Sequence, residues 1–324
     1  MMGWRRRDFL LGSGALALQI VPEAWAQEEG RTYRIGVLVQ SPRNASHWLA
    51  FFDELATLGF IAGRNLGIVD GFNVPPDRAA AKAKEIVDAR PDVIMTAGVF
   101  TFPLQKATKT IPILTVMDDL LAEHAVASLA HPGGNTTGIS IFAPELDGKR
   151  QEVLLEAAPE TRHLAILADP GVTGPTQLGA LEAAAKARGV TVSMHLVVGA
   201  NDIMPAMDAA AAGGAQALNV LASSLFNRHR ASIIERAAAL RLAAIYQWPE
   251  MAEEGGLIAY GPRFTAVYRQ HGRQAAKVMR GTEPADIPVE QPTTFELVIN
   301  LKSAKALGLE IPGSLVARAD AVIE

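Results

Sequence analysis

Small polar residues, two aspartates and three aromatic rings directly follow the predicted strands of this 324-residue chain. In open α/β sheets, ligands bind beside the carboxyl ends of the strands, so we expect these side chains or their backbone donors to face a binding cleft. The candidate ligand-binding residues are Ser41, Thr96, Gly98, Asp118, Asp169, Ser223, Ser224, Phe226, Tyr246 and Trp248. At each position a helix cap or a packing residue is the alternative interpretation.

These residue types favour the binding of a small organic solute. Hydroxyls and the unpaired backbone N–H groups of helix N-termini can hold a carboxylate. Asp118 and Asp169 can hold an ammonium group, and the three rings can cover an apolar or aromatic body. An aromatic or large apolar amino acid suits this set. An aromatic carboxylic acid is the alternative, in which case the two aspartates are helix caps that face away from the ligand.

The sequence contains no recognisable catalytic motif. None of its seven histidines belongs to a His-Glu-x-x-His zinc motif, and no Gly-x-Ser-x-Gly nucleophile elbow occurs. The glycine-rich segment 133–138 lacks the lysine that would reach a phosphate, and it precedes a strand rather than a helix. Cysteine is absent, which excludes disulfides and thiolate metal ligands. We therefore expect a protein that is not an enzyme and that uses no metal or cofactor.

Predicted strands and helices alternate along both halves of the chain. Residues 33–41 read as a strand and 48–58 as a helix, and the apolar run 113–117 reads as a buried parallel strand. The Pro-Gly-Gly-Asn segment at 132–135 ends the first half, and the alternation begins again with a helix at 148–157. The pattern predicts an α/β fold with two Rossmann-like lobes, each built on a parallel sheet.

The last third of the sequence predicts two further crossings between the lobes. A short strand near Gly256 is expected to return to the first lobe, the proline-rich segment 284–292 to have no regular structure, and a strand at Phe295 to return to the second lobe. The predicted domains are a signal peptide at 1–26, a first lobe at 31–142 plus 256–284, and a second lobe at 143–255 plus 285–324. Three hinge linkers would let the lobes close over a solute.

The N-terminal segment predicts export. Three arginines precede an apolar stretch, and Ala-Trp-Ala at 24–26 forms a small-residue cleavage site. The order Arg6-Arg7-x-Phe9-Leu10 resembles a twin-arginine signal, and an ordinary Sec signal is the alternative. Cleavage after Ala26 removes three arginines and two acids, which changes the net charge from −4 to −5. A mildly acidic protein without a lipid-attachment cysteine is expected to be free in the periplasm, to have no nucleic-acid partner, and not to be lipid-anchored.

Four segments resemble the ABC transporter substrate-binding proteins of the tryptophan/tyrosine type. They are residues 58–65, 131–138, 254–262 and 288–308, and the last is the most specific. The resemblance spans nearly the whole mature chain and implies a type I periplasmic binding protein fold. Two stretches depart from the family pattern: Gln40-Ser41-Pro42, and Met117-Asp118-Asp119-Leu120, where many relatives carry a Gly-Asp-Pro-Val type of turn. Both lie at the predicted cleft.

The predicted function is therefore that of a periplasmic solute-binding protein of an ABC importer. We expect a monomer, and the resemblance implies that it delivers its solute to an inner-membrane permease with its ATPase. The alternative is a ligand-sensing periplasmic subunit that presents its closed form to a membrane receptor. The sequence contains nothing that separates transport from sensing.

Overall fold

The computed structural model describes residues 31–141 and 143–324, so the predicted signal peptide lies outside the described residues. The strands are β1 (Tyr33–Leu38), β2 (Leu66–Val69), β3 (Val93–Ala97), β4 (Ile113–Met117), β5 (Thr136–Ser140), β6 (His163–Ala168), β7 (Thr191–Leu196), β8 (Ala217–Val220), β9 (Ala243–Tyr246), β10 (Ile258–Gly261), β11 (Glu296–Asn300) and β12 (Ala321–Ile323). The helices are α1 (Ser46–Thr57), α2 (Ala79–Asp88), α3 (Thr101–Ala107), α4 (Ala143–Ala157), α5 (Pro175–Ala187), α6 (Ala200–Ala212), α7 (Ser224–Arg228), α8 (Arg230–Ala239), α9 (Pro249–Glu253), α10 (Phe264–Met279), α11 (Leu301–Leu307) and α12 (Gly313–Val316).

The strands form two sheets, which confirms the predicted α/β class. The first sheet has the order β2-β1-β3-β4-β5, and all of its pairings are parallel. The second has the order β12-β11-β10-β9-β8-β6-β7, and its pairings are parallel except between β10 and β11. Continuous apolar runs such as Ile113–Met117 are buried along their whole length, as expected for parallel strands covered on both faces.

The strand near Gly256 belongs to the second sheet, so the prediction that it returns to the first lobe is wrong. β10 pairs in parallel with β9 and antiparallel with β11. The return is made instead by α10, which packs along α1 closely enough that a Cβ atom at Gly272 would lie 3.1 Å from the Phe51 carbonyl oxygen. A short apolar strand has the same sequence pattern whichever sheet it joins, and this is why its partner could not be predicted.

The proline-rich connector also has more structure than was predicted. It contains a 3₁₀ helix at Pro284–Asp286. Glu290 then pairs with the edge of β5, where its backbone N–H donates to the Gly138 carbonyl oxygen at 3.0 Å and its carbonyl oxygen accepts from Ser140 N at 2.9 Å. The chain thus passes between the elements of the two sheets after β5, after β10 and before β11.

Gly138 in β5 occupies a position that no other residue fits. Its φ is +157°, and a Cβ atom there would lie 1.9 Å from the Thr115 carbonyl oxygen. We expect Gly138→Ala to destabilise the protein by about 2–3 kcal/mol in urea unfolding. Gly179→Ala is the matched control, because this glycine lies inside α5 with nothing within 4 Å of its Cβ position. The control should stabilise by about 0.5–1 kcal/mol. Equal effects of the two variants would contradict the steric argument.

Candidate functional site

The carboxyl ends of the two sheets lie close together. A Cβ atom at Gly98, just after β3, would lie 3.8 Å from Ser224 Oγ at the start of α7. His47 on α1 is buried, and its pKa is lowered to about 3 by that burial and then by the positive charge of Arg230 on α8. The predicted contact residues of the first and second sheets therefore border one region.

Ser41 and Thr96 have partners within the first sheet and its helices. Ser41 Oγ accepts a hydrogen bond from Trp48 Nε1 at 2.8 Å and lies 3.3 Å from His47 Nε2. Thr96 Oγ1 donates to the Leu38 carbonyl oxygen at 2.8 Å, and its side chain is buried between β1 and β3. Thr96 therefore joins two strands, whereas Ser41 remains half-buried at the strand end.

Asp118 follows β4 and is half-buried. Burial raises the pKa of its carboxyl to about 7, and the negative charges of Glu123 and Asp147 add to this effect, while Arg150 opposes it. Among the described residues no side-chain or backbone group donates a hydrogen bond to this carboxylate. The neighbouring Asp119 differs, because its Oδ1 accepts from Leu121 N at 2.9 Å and Ala122 N at 3.0 Å and so closes a turn.

A buried ion pair on α4 lies close enough to Asp118 for both of its charges to act on the Asp118 carboxyl. Asp147 and Arg150, one turn apart on α4, are both 0% exposed and are joined at 2.5 Å. Gln177 Nε2 donates to Asp147 Oδ2 at 2.9 Å, and Arg150 Nη1 donates to the Tyr260 carbonyl oxygen at 3.2 Å. The pair thus connects α4 with α5 and β10. Sequence reasoning missed it, although two opposite charges three residues apart directly after a predicted crossover are a usable signal.

Asp169 and Ser223 bind each other. Ser223 Oγ donates to Asp169 Oδ2 at 2.7 Å and accepts from Leu225 N at 3.0 Å, so it caps α7. Asp169 Oδ1 accepts from Gly171 N at 2.9 Å. Ser224, the next residue along the chain, is exposed. The structure therefore gives Asp169 and Ser223 a capping role and leaves the Ser224 hydroxyl exposed.

All three predicted rings belong to the largest hydrophobic cluster of the described residues, and Trp248 is 4% exposed. Phe226 and Tyr246 are each 1% exposed and pack within the largest hydrophobic cluster. A residue after a strand end can point back into the core as easily as outward, so position alone did not determine these directions. Trp248 stacks on Phe264 with ring centroids 4.4 Å apart. Phe264 is half-buried and was missed, although it follows β10 as the other candidates follow their strands.

Several buried polar atoms near the strand ends have no hydrogen-bond partner among the described residues. They are Gln40 Oε1 after β1, Thr173 Oγ1 in the loop after β6, and Gln247 Nε2 and Trp248 Nε1 after β9. Sequence reasoning selected only the last of these residues. In the part of the chain that the structure describes, no group of three or more His, Asp or Glu side chains could hold a metal ion. No described helix is long and apolar enough to cross a membrane.

Two similar sheets that meet at their carboxyl ends are typical of solute-binding proteins. A sequence model of the ABC transporter substrate binding protein family matches residues 36–323, and the chain belongs to this family. This confirms the resemblance stated above and the expectation that the protein is not an enzyme. The family implies a small-molecule ligand and an ABC transporter as partner, and its members are typically extracellular or periplasmic.

Individual relatives are distant. The chain is 23% identical to a tyrosine-binding protein of Clostridioides difficile over 85% of this chain and 80% of that protein. A conserved domain protein from Vibrio cholerae is 24% identical, with a TM-score of 0.81 over 90% of this chain and 100% of that one. An ABC domain from Streptococcus pneumonia in complex with L-Trp is also 24% identical, with a TM-score of 0.80 over the same shares. At these identities the structural likeness shows the fold.

Proposed function

We propose that this protein is the periplasmic solute-binding component of an ABC importer and that it binds an aromatic or large apolar amino acid between two lobes. The observation that carries the proposal is the Asp118 carboxylate, which is half-buried, has no donor among the described residues and lies near further negative charges. Such a group has the electrostatic environment that a ligand ammonium would relieve. Ser41, Gly98, Ser224 and Trp248 are the other contacts that we propose.

The surroundings of Asp118 favour an amino acid over an aromatic carboxylic acid. A ligand with only a carboxylate would bring one more negative charge near Asp118, Asp147 and Glu123. A zwitterion brings its own cation. The ring pair formed by Trp248 and the half-buried Phe264 offers an aromatic surface for the ligand side chain. The names of two relatives, a tyrosine-binding protein and an L-Trp complex, agree with this ligand class.

The ligand class is tested by thermal shift and calorimetry on the mature protein after unfolding and refolding to remove any bound solute. We expect L-tyrosine, L-tryptophan or L-phenylalanine to stabilise the protein by about 2.7 kcal/mol at 100 times the dissociation constant. Indole-3-acetate and 4-hydroxyphenylacetate should have a much smaller effect. Stabilisation by the acids without stabilisation by the amino acids would contradict the proposed ligand. Uptake of the ligand in cells with and without this protein tests the importer role.

A further inference from the structure

The indole N–H of Trp248 is a buried donor that has no partner among the described residues. The residue is 4% exposed, and within the described chain its Nε1 has no acceptor. An indole N–H can only donate, and a buried donor that is left unsatisfied costs about 1–3 kcal/mol. Trp48 has the same side chain in a satisfied state, because its Nε1 donates to Ser41 Oγ at 2.8 Å. The two indoles therefore differ in whether the described residues supply an acceptor.

A second unpaired donor adjoins the first. Gln247 is also 4% exposed, and its Nε2 has no partner among the described residues. Both residues follow β9 at its carboxyl end, the end of a parallel strand where ligands bind. Among the described residues, the ring nitrogens of His271 and the Oε1 atom of Gln274 also lack partners, and both residues lie within α10. The end of β9 differs from these sites because two adjacent residues each carry a buried donor without a described partner.

At the strand ends of the first sheet, the groups without described partners are hydrogen-bond acceptors rather than donors. Within the described residues, Gln40 Oε1 directly after β1 is a buried acceptor without a donor, and no group donates to the carboxylate of the half-buried Asp118 after β4. Among the described residues, an acceptor and a carboxylate without donors thus follow strands of the first sheet, and two adjacent donors without acceptors follow β9 of the second, which also has unpaired atoms at Thr173 and Asn219. An α-amino acid carries three N–H donors and two carboxylate acceptors on neighbouring atoms, so it can satisfy both sets at once.

We propose that Trp248 and Gln247 bind the ligand carboxylate while Asp118 and Gln40 bind its ammonium, so that the main-chain end of one amino acid joins the two lobes. This assignment rests on the proposed function, since it requires an amino-acid ligand. It places the determinants of selectivity for the zwitterion on opposite sheets. A ligand that lacks either charged group would satisfy only one of the two sides.

The test combines one substitution with one change in the ligand. The dissociation constants of L-tyrosine and of tyramine, which lacks the carboxylate, are measured for the wild type and for Trp248→Phe. We expect Trp248→Phe to weaken L-tyrosine binding about tenfold and tyramine binding less than twofold. Retained tyramine binding also shows that the variant is folded. Trp48→Phe is the matched control, because it removes an indole N–H that already has an acceptor, and any loss should be equal for both ligands.

Other results would overturn the assignment. Equal weakening of both ligands by Trp248→Phe would mean that the indole only packs. Weakening of L-tyrosine but not of L-phenylalanine would mean that Trp248 contacts the phenol oxygen instead of the carboxylate. If the wild type binds none of the amino acids, the proposed function fails and the assignment fails with it. Gln247→Leu should likewise weaken L-tyrosine binding more than tyramine binding. If the ratio of the two affinities is unchanged in both Trp248→Phe and Gln247→Leu, the proposal is contradicted.

Discussion

Replacing Asp118 by asparagine is expected to weaken amino-acid binding about 30-fold or more. The side chain keeps its size but loses the negative charge that we assign to the ligand ammonium. Removing one partner of a buried, hydrogen-bonded charge pair costs about 2–5 kcal/mol, and 1.4 kcal/mol corresponds to a factor of ten in affinity. Titration calorimetry at pH 8 measures the change. Asp53→Asn, at an exposed position on α1, is the charge-matched control and should bind like the wild type.

The same carboxyl predicts a proton linkage. With its pKa raised to about 7, Asp118 holds a proton at pH 6 in the free protein, and an ammonium ligand should drive that proton off. Binding at pH 6 is therefore expected to release close to one proton, whereas binding at pH 8.5 should release almost none. Calorimetry in two buffers with different ionisation enthalpies gives the number of protons released on binding. Equal proton release by wild type and Asp118→Asn would contradict the assignment of the linkage to Asp118.

The stability of the free protein should also depend on Asp118. The pKa of this carboxyl is higher in the folded protein than the ordinary value of 3.8, so between about pH 4 and pH 7 the folded state keeps a proton that the unfolded chain loses. The contribution of this group to the free energy of unfolding is therefore greatest below pH 4 and falls as the pH rises to about 7. Asp118→Asn should remove this decline, which makes the free variant more stable than the wild type at pH 8.

The fold could be predicted from the sequence because its signals are local. Strands such as Ile113–Met117 are buried along their whole length, and helices such as α1 carry buried residues at helical spacing. Sheet membership is different. Whether β10 pairs with the first or the second sheet depends on contacts with β9 and β11, which no local pattern specifies.

The position of the candidate site at the strand ends could be predicted from the sequence, but the direction of each side chain there could not. The rule that ligands bind at strand ends selected Asp118, which is half-buried, and it also selected Phe226, Tyr246 and Trp248, which the structure buries in the core. The direction of a side chain after a strand end depends on how the following helix packs. The spacing of residues in the sequence does not predict this packing. Phe264 was missed for the same reason, since it begins a helix whose partner, α1, lies far away in the sequence.

The buried Arg150 is expected to have the largest effect on stability. Arg150→Met removes the cation bound to Asp147 at a site where both side chains are 0% exposed. Breaking a buried ion pair from one side costs about 3–5 kcal/mol, because the remaining charge has lost its partner. Lys149→Met is the matched control on the same helix. Its ion pair with Glu152 is about half exposed on each side, and exposed pairs contribute about 0–1 kcal/mol.

Two further measurements separate the charge of Arg150 from its packing. Burial already raises the pKa of Asp147, and loss of Arg150 should raise it further, so the destabilisation in urea unfolding should be larger at pH 8 than at pH 5.5. Adding Asp147→Asn to Arg150→Met removes the uncompensated charge and should recover at least half of the lost stability, with the pH dependence gone. A loss that is the same at both pH values, and that Asp147→Asn does not recover, would show that Arg150 stabilises α4 and β10 by packing and by its bond to the Tyr260 carbonyl oxygen alone.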